Sequence, residues 1–503
     1  MTFCEDCGSK LMPGVLFCEN CGAKISGAPS VNFSDVSKSV QERGIIYTNL
    51  KLLSFQLNKT EEFLNSVLSA FILFSNENGV SYELVDVSDK FSDAGTVKEH
   101  IAVIRNLVEK NHQKYLFILG SNSVVPSMVW ENRASDSGSD KDVSSDLPYS
   151  TLDIATPFDG QEYDFSETLR VGRLPNVDFE NYFENLKAGY GNAENANSFA
   201  MSAEVWQEET KDIFRKLDSS KKVISSPDAT KENVKEIISC DTNLFLFNLH
   251  GSNQTEFWYG QCGASYPEAI EPNSFSEIKN PYWLAVEACY GAAYEGRIAG
   301  KSVLLSALNG KCISFMGSSR IAFGTPRPEG CCADVICGTY LKKLKEGFSA
   351  GDSLAIARKA LMKGDPSPED IKTLAEFSLY GDPSVKMKKK IETAGIAKNI
   401  SIFDDSEATV EKSFSRGIRV PLPNIRRAVH LELVKVDQKI ADIVESFIYS
   451  HYVEFKGIKP KYVKNGVFGN LQAVFELPGS ICSKIVAVSF TGNGEIKQLI
   501  ESK

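Results

Sequence analysis

The sequence predicts an α/β protein built on a doubly wound, mostly parallel sheet, because short apolar runs alternate with helical segments along most of the chain. Runs of strand length occur at residues 221–225, 244–249, 283–288 and 312–317. Runs that are apolar on both faces are typical of parallel strands that helices cover on either side. Active sites in such sheets lie outside the carboxyl ends of the strands, so the residues that follow each run are the candidates for chemistry.

The first part of the chain shows the same alternation. Residues 60–75 are apolar at helical spacing and begin with Thr-Glu-Glu, a good helix start, and residues 97–110 form a second amphipathic helix. Strands are expected at 82–87 and 115–119. The stretch 135–146 is rich in Gly, Ser and Asp, and we expect a mobile loop there.

The composition fits a globular protein of several domains. The chain has 503 residues, of which 42% are hydrophobic and 24% charged, so a mainly disordered or fibrous protein is excluded. Its net charge of −10 disfavours general binding to nucleic acid or to an anionic membrane. No run approaches the roughly 18–20 apolar residues that cross a bilayer. The first residues also lack the charged and apolar regions of a secretory signal, so we expect a cytoplasmic protein with reduced thiols.

Changes in composition divide the chain into four segments. A cysteine-rich module at residues 1–26 is followed by a linker at 27–44 that is rich in small and polar residues. The α/β segment spans 45–394, with an N-terminal half at 45–195 and a catalytic half at 196–394. Residues 395–503 indicate an accessory α+β domain in which we identify no chemistry. Its predicted elements are a helix at 437–449 and strands at 471–477 and 484–490.

Four cysteines near the N-terminus have the spacing of a zinc ribbon. They are arranged as Cys4-x2-Cys7 and Cys18-x2-Cys21, and a glycine follows each pair. Four thiolates suit tetrahedral zinc, and a segment this short needs the metal in order to fold. We therefore expect one structural zinc ion and no catalytic cofactor. A redox dithiol is the alternative, and a structural or docking role is favoured over nucleic-acid binding.

A histidine and a cysteine follow two apolar runs of the predicted sheet. His250-Gly251 comes after the run at 244–249, and Glu287-Ala288-Cys289 ends the next one. A cysteine nucleophile needs an imidazole to take its proton, and backbone amides at Gly251 and Cys289 could stabilise an oxyanion. Each residue alone is more often structural, as a satisfied histidine or a buried thiol, but the joint pattern indicates a catalytic dyad.

This pattern resembles the clan CD cysteine peptidases, the group that includes caspases, legumain and gingipains. Three further segments are similar to the gingipain-type branch: residues 171–175, 313–324 and 379–384. The resemblance covers roughly residues 45–390 and implies a caspase-like fold and hydrolysis of peptide bonds through a thioester acyl-enzyme. It also implies that Glu204 orients His250, and that Phe323 and Trp206 line the substrate pocket.

Two departures from that family shape the functional hypothesis. Arginine-specific gingipains carry an aspartate several residues after the orienting glutamate, and no aspartate aligns with it here, so the residue preferred at P1, on the amino side of the cleaved bond, is left open. The family is secreted, whereas this chain begins with a predicted zinc ribbon. We therefore expect an intracellular cysteine endopeptidase acting on protein or peptide substrates. A regulatory protein partner could bind the ribbon or the C-terminal domain, and an inactive caspase-like scaffold is the alternative.

Overall fold

The computed structural model describes residues 2–3, 10–11, 41–159, 166–189, 197–238, 241–328, 330–363, 366–387, 431–465, 471–479 and 483–503. The chain divides into two compact units, Met1–Glu42 and Arg43–Lys503. In the first unit, strand β1 (Thr2–Phe3) pairs in antiparallel fashion with β2 (Lys10–Leu11). The four ribbon cysteines, Cys4, Cys7, Cys18 and Cys21, lie outside the described residues, so the zinc site stays a prediction.

The second unit contains the remaining helices and strands, apart from Glu42 at the start of β3. The strands are β3 (Glu42–Thr48), β4 (Val80–Asp86), β5 (Tyr115–Leu119), β6 (Met128–Glu131), β7 (Asp142–Ser145), β8 (Arg170–Leu174), β9 (Ser198–Ser202), β10 (Val223–Ser225), β11 (Leu244–Asn248), β12 (His250–Gly251), β13 (Trp258–Tyr259), β14 (Glu268–Ile270), β15 (Tyr282–Val286), β16 (Cys312–Ser318), β17 (Phe323–Gly324), β18 (Phe377–Gly381), β19 (Leu431–Leu433), β20 (Lys461–Asn465), β21 (Leu471–Leu477), β22 (Lys484–Phe490) and β23 (Ile496–Ser502). The helices are α1 (Leu50–Leu57), α2 (Glu61–Glu77), α3 (Val97–Asn111), α4 (Leu147–Thr151), α5 (Phe179–Gly189), α6 (Gln207–Leu217), α7 (Lys231–Ile237), α8 (Val303–Asn309), α9 (Cys332–Lys345), α10 (Ala350–Leu361), α11 (Pro368–Glu376) and α12 (Gln438–His451).

A ten-stranded sheet forms the centre of this unit, in the order β10-β9-β11-β15-β16-β18-β8-β5-β3-β4. Strand β11 runs parallel to both β9 and β15, while β18 runs antiparallel to β16. Strands β5, β11 and β15 are buried at every position, as expected where helices cover both faces of a parallel sheet. The predicted large, mostly parallel sheet is confirmed.

Local sequence signals set the helix starts. The Thr60 hydroxyl accepts a hydrogen bond from the Phe63 amide at 3.2 Å and begins α2. Helix α3 begins with a capping box, in which Thr96 and Glu99 satisfy each other's backbone amides. These caps explain why both predicted helices begin within one residue of the observed positions.

The stretch at 135–146 differs from the expected mobile loop. It contains β7, and Asp136 and Asp140 are buried. Their carboxylates bind the ammonium of Lys372, which also donates to the Ile321 carbonyl at 2.7 Å. A polar sequence is buried here because a lysine from α11 neutralises its charge.

A second, six-stranded sheet has the order β17-β23-β22-β21-β20-β19. Helix α12 packs against it through Val444 and Ile448, which share an apolar cluster with Phe475 and Val488. Strand β17 comes from the α/β segment and the other strands from the C-terminal segment, so this sheet joins the two. No helix in the described ranges is long and apolar enough to cross a membrane.

Candidate active site

The ends of β11 and β15 bring the histidine and cysteine motifs together. The two strands are parallel neighbours, with Leu246 opposite Ala285, so both chains leave the sheet at the same edge. His250 and Gly251 form β12, the edge strand of a small sheet with β13 and β14. A Cβ atom placed on Gly251 would lie 1.8 Å from the backbone oxygen of Cys289, so only glycine permits this contact.

Cys289 lies in a tight turn at the end of β15. The next residue, Tyr290, has a φ of 51°, and its amide donates to the Arg320 carbonyl at 2.7 Å. The Cys289 thiol donates to the Ala322 carbonyl at 3.6 Å, and its backbone amide donates to the backbone oxygen of Lys503 at 3.2 Å. The turn is therefore fixed on one side by residues 320–322 and on the other by Lys503.

The imidazole of His250 is enclosed by aromatic rings. Its centroid is 4.4 Å from that of Trp206 and 5.1 Å from that of Tyr266, and its Nε2 atom lies 2.8 Å from Oε1 of Gln261. Burial lowers the pKa of His250 to about 4, against the opposing effect of the Gln261 hydrogen bond. The ring is therefore neutral at pH 7 and can accept a proton.

Glu204 does not make the expected contact with His250. Its side chain is exposed, and its carboxylate accepts a hydrogen bond from the Gly263 amide at 2.9 Å. The backbone amide of Glu204 donates to the backbone carbonyl of Gln261 at 3.0 Å. Glu204 therefore holds the segment whose Gln261 side chain contacts the imidazole. Gln261 could not be predicted from the sequence, because nothing marks a neutral glutamine eleven positions after the histidine.

The two aromatic residues expected in the substrate pocket both lie close to the dyad. Trp206 is fully buried against His250. Phe323 belongs to the same apolar cluster as Cys289 and Ile321, and the ammonium of Lys372 lies 5.4 Å from the centre of its ring. The structure thus brings these sequence-predicted residues to one place.

A group of three buried carboxylates adjoins the cysteine. Glu209 on α6, Glu287 after β15 and Asp334 on α9 each have an oxygen within 4.8 Å of the others. The ammonium of Lys503 forms ion pairs with Glu287 and Asp334. Nothing in the sequence indicates that these four residues meet, because they lie far apart along the chain and only the folded topology joins them.

Comparison with known proteins agrees with this architecture. The model of peptidase family C25 matches residues 59–388. The arginine-specific cysteine proteinase gingipain R has a similar structure, with a TM-score of 0.52 and 11% identity over 93% of this chain and 98% of that chain. A complex of the RgpB pro- and mature domains from Porphyromonas gingivalis gives a TM-score of 0.51 and 12% identity, over 91% and 99%. No curated protein sequence matches the chain.

The two structural matches establish the gingipain-like α/β fold. The family match covers about two thirds of the chain. It includes the ends of β11 and β15 and all three buried carboxylates. Its range also agrees with the extent of the resemblance expected from the motifs. The chain belongs to peptidase family C25.

Proposed function

We propose that this protein is a cysteine endopeptidase in which Cys289 is the nucleophile and His250 the general base. One observation carries the proposal: the two residues follow adjacent parallel strands, and the backbone of Gly251 contacts that of Cys289. The family supplies the reaction class, and the neutral imidazole supplies a group able to take the thiol proton.

The reaction begins with transfer of the thiol proton from Cys289 to His250. The thiolate attacks the carbonyl carbon of the substrate, a C–S bond forms, and the carbonyl electrons move to oxygen. The amide of Cys289, together with that of Gly251, donates hydrogen bonds to this oxyanion. Burial of the site strengthens those bonds, because little water competes with them.

The intermediate collapses when the C–N bond breaks and His250 gives its proton to the leaving amine. The acyl group stays on Cys289 as a thioester. Water then attacks the thioester with His250 as base, the C–S bond breaks, and a carboxylic acid and the free thiol are released. Gln261 holds the imidazole through both steps, and Glu204 acts as a positioning residue through the backbone of that segment.

The wider setting is also part of the proposal. Intracellular proteins or peptides are the substrates, and zinc held by Cys4, Cys7, Cys18 and Cys21 supplies stability to the N-terminal module. No residue of that module enters the chemistry. A regulatory partner would bind at the module or at the C-terminal segment.

Alkylation separates the enzyme from an inactive scaffold. A limiting dose of a peptidyl chloromethyl ketone is added to the full chain and to a chain that stops after Glu501, which removes the residues beside Cys289. We expect Cys289 of the shortened chain to react at least tenfold faster than Cys262, a partly exposed thiol that serves as the internal control. His250→Ala should slow this labelling and abolish peptide cleavage. Cys289→Ala should also abolish peptide cleavage. The proposal is wrong if mass mapping finds Cys289 no more reactive than Cys262 in the shortened chain, where the residues beside it are absent.

A further inference from the structure

The C-terminal strand β23 lies along the candidate active site as a bound peptide would. It pairs in antiparallel fashion with β17, with Ser502 opposite Phe323 and Glu501 opposite Gly324. The pairing continues to Lys503, whose amide donates to the Ala322 carbonyl at 2.9 Å. Addition of an extended strand to a short edge strand is a common way for proteins to bind peptides.

The backbone of Lys503 occupies the position of a scissile residue. Its backbone oxygen accepts the hydrogen bond from the Cys289 amide at 3.2 Å, one of the two amides expected to stabilise the oxyanion. A substrate bound in this way would present the carbonyl of its P1 residue to the thiol. Lys503 is therefore in the P1 position, with Ser502 and Glu501 preceding it.

The side chain of Lys503 fills a closed acidic pocket, which we name the S1 pocket: Trp206, Glu209, Asn248, Glu287, Gly324 and Asp334. The ammonium is fully buried, pairs with Glu287 and Asp334, and donates to Oδ1 of Asn248 at 2.9 Å. It also lies 5.1 Å from the centre of the Trp206 ring. Three donors of one ammonium thus meet three oxygens, which suits the compact charge of lysine.

The S1 pocket holds more carboxyl groups than one ammonium can pair with. Glu209 accepts from the Asn248 amide at 3.0 Å, but its other oxygen and Oε1 of Glu287 have no hydrogen-bond partner. Burial raises the pKa of both glutamates, and that of Glu287 to about 8. Buried carboxylates without a cation are costly, so the pocket favours a positively charged occupant.

Glycine at position 324 opens the path to these carboxylates. A Cβ atom placed there would lie 1.9 Å from Cε of Lys503 and 2.7 Å from Oδ1 of Asp334. Any side chain at this position would block the stem of the lysine. The backbone of β17 thus pairs with the peptide while its glycine admits the P1 side chain.

We propose that the strand 496–503 occupies the substrate cleft as an internal inhibitor, with Lys503 held in the S1 pocket as the P1 residue of a substrate would be. The inference rests on the proposed peptidase function, and it adds the residue preferred at P1 and the way in which the activity is regulated. Residues of the C-terminal segment hold the strand in place, because the Glu501 carboxylate accepts a hydrogen bond from Tyr452 at 2.8 Å and pairs with Lys484 at 3.1 Å. An inhibitor tethered in this way has a high effective concentration, so a free substrate competes poorly until the end of the strand leaves the cleft.

Three variants test the occupancy of the cleft with fluorogenic peptides that differ only at P1. Lys503→Ala removes the buried ammonium, and the chain that stops after Glu501 removes the P1 and P2 residues. Lys497→Ala is the matched control, since Lys497 lies on the same strand but is exposed and pairs with Glu495. We expect kcat/KM for a P1-lysine peptide to rise about tenfold or more in the first two and to stay unchanged in the control.

Specificity is measured in the shortened chain. A P1-lysine peptide should be cleaved at least about tenfold faster than its P1-arginine or P1-alanine counterpart, and Glu287→Gln should reduce that preference while leaving the far-ultraviolet circular dichroism unchanged. Equal cleavage of the three peptides would overturn the S1 assignment, although the peptidase function would stand. Unchanged activity in both Lys503→Ala and the shortened chain would overturn the inhibitory role.

A binding measurement keeps this inference separate from the proposed function. A fluorescent peptide with the sequence of residues 496–503 is titrated into the shortened chain carrying Cys289→Ala, which cannot cleave it. We expect it to bind at least about tenfold more tightly than the same peptide ending in alanine. If no variant cleaves any peptide but this difference is seen, the proposed function fails and the lysine site stands. Equal binding of the two peptides would refute the site.

Discussion

The side chain that hydrogen-bonds the imidazole of His250 is a neutral amide, so burial rather than a neighbouring charge decides the protonation of the ring. Burial lowers the pKa of His250 to about 4, and the Gln261 hydrogen bond opposes that shift only in part. Gln261→Glu would place a carboxylate at the same 2.8 Å position and should raise this pKa by about 1–3 units. A larger fraction of the imidazole would then be protonated at a given pH. As the pH falls, the variant would therefore lose its neutral base at a higher pH than the native protein does. Titration of the five histidines by NMR would show the shift directly.

Glu204 provides the control for that titration. Its carboxylate binds the Gly263 amide and does not touch the ring, so Glu204→Gln should leave the titration of His250 within about 0.3 units. It should still lower turnover slightly, because the segment that carries Gln261 would be less well held. A large shift in Glu204→Gln and none in Gln261→Glu would restore the orienting role first expected for Glu204.

At the scale of secondary structure elements, Lys372 of α11 joins three parts of the candidate site. It binds Asp136 and Asp140 in the segment before β7 and the Ile321 carbonyl next to β17. Removing one partner of a buried ion pair costs about 3–5 kcal/mol, so Lys372→Met should lower the free energy of unfolding by that amount. Lys211→Met, which breaks an exposed pair with Glu208 on α6, should change it by less than about 0.5 kcal/mol. Urea unfolding compares the two, and equal effects would refute the role given to Lys372.

The bounds of individual strands and loops show which parts of the fold the sequence could predict and which it could not. The strands at 115–119, 471–477 and 484–490 have the predicted bounds, because each is an apolar or alternating run between polar turns. The prediction of a mobile loop at 135–146 was wrong, since the aspartates buried there pair with a lysine more than 230 residues away. Periodicity describes a local pattern, and no local pattern contains that distant charge.

At the scale of the whole molecule, the C-terminal segment has a role that its sequence did not indicate. No residue of 395–503 was expected to take part in chemistry. The fold instead brings Lys503 beside Cys289 through the pairing of β23 with β17. The closeness of the His250 and Cys289 motifs could be predicted because both follow strands of one sheet, whereas the S1 pocket combines residues from two sheets and two helices.

The division into two units predicts that the N-terminal module can lose its metal without harm to catalysis. The carboxylates, the dyad and both large sheets all belong to Arg43–Lys503, whereas the four ribbon cysteines precede Glu42. Metal analysis of the full chain should therefore find one zinc per molecule, and Cys4→Ser with Cys7→Ser should remove it, since two thiolates of a tetrahedral site are lost. The melting temperature of the larger unit and kcat/KM on a P1-lysine peptide should stay unchanged. Absence of zinc from the full chain would refute the ribbon, and a loss of activity with the metal would show that the module supports the active site.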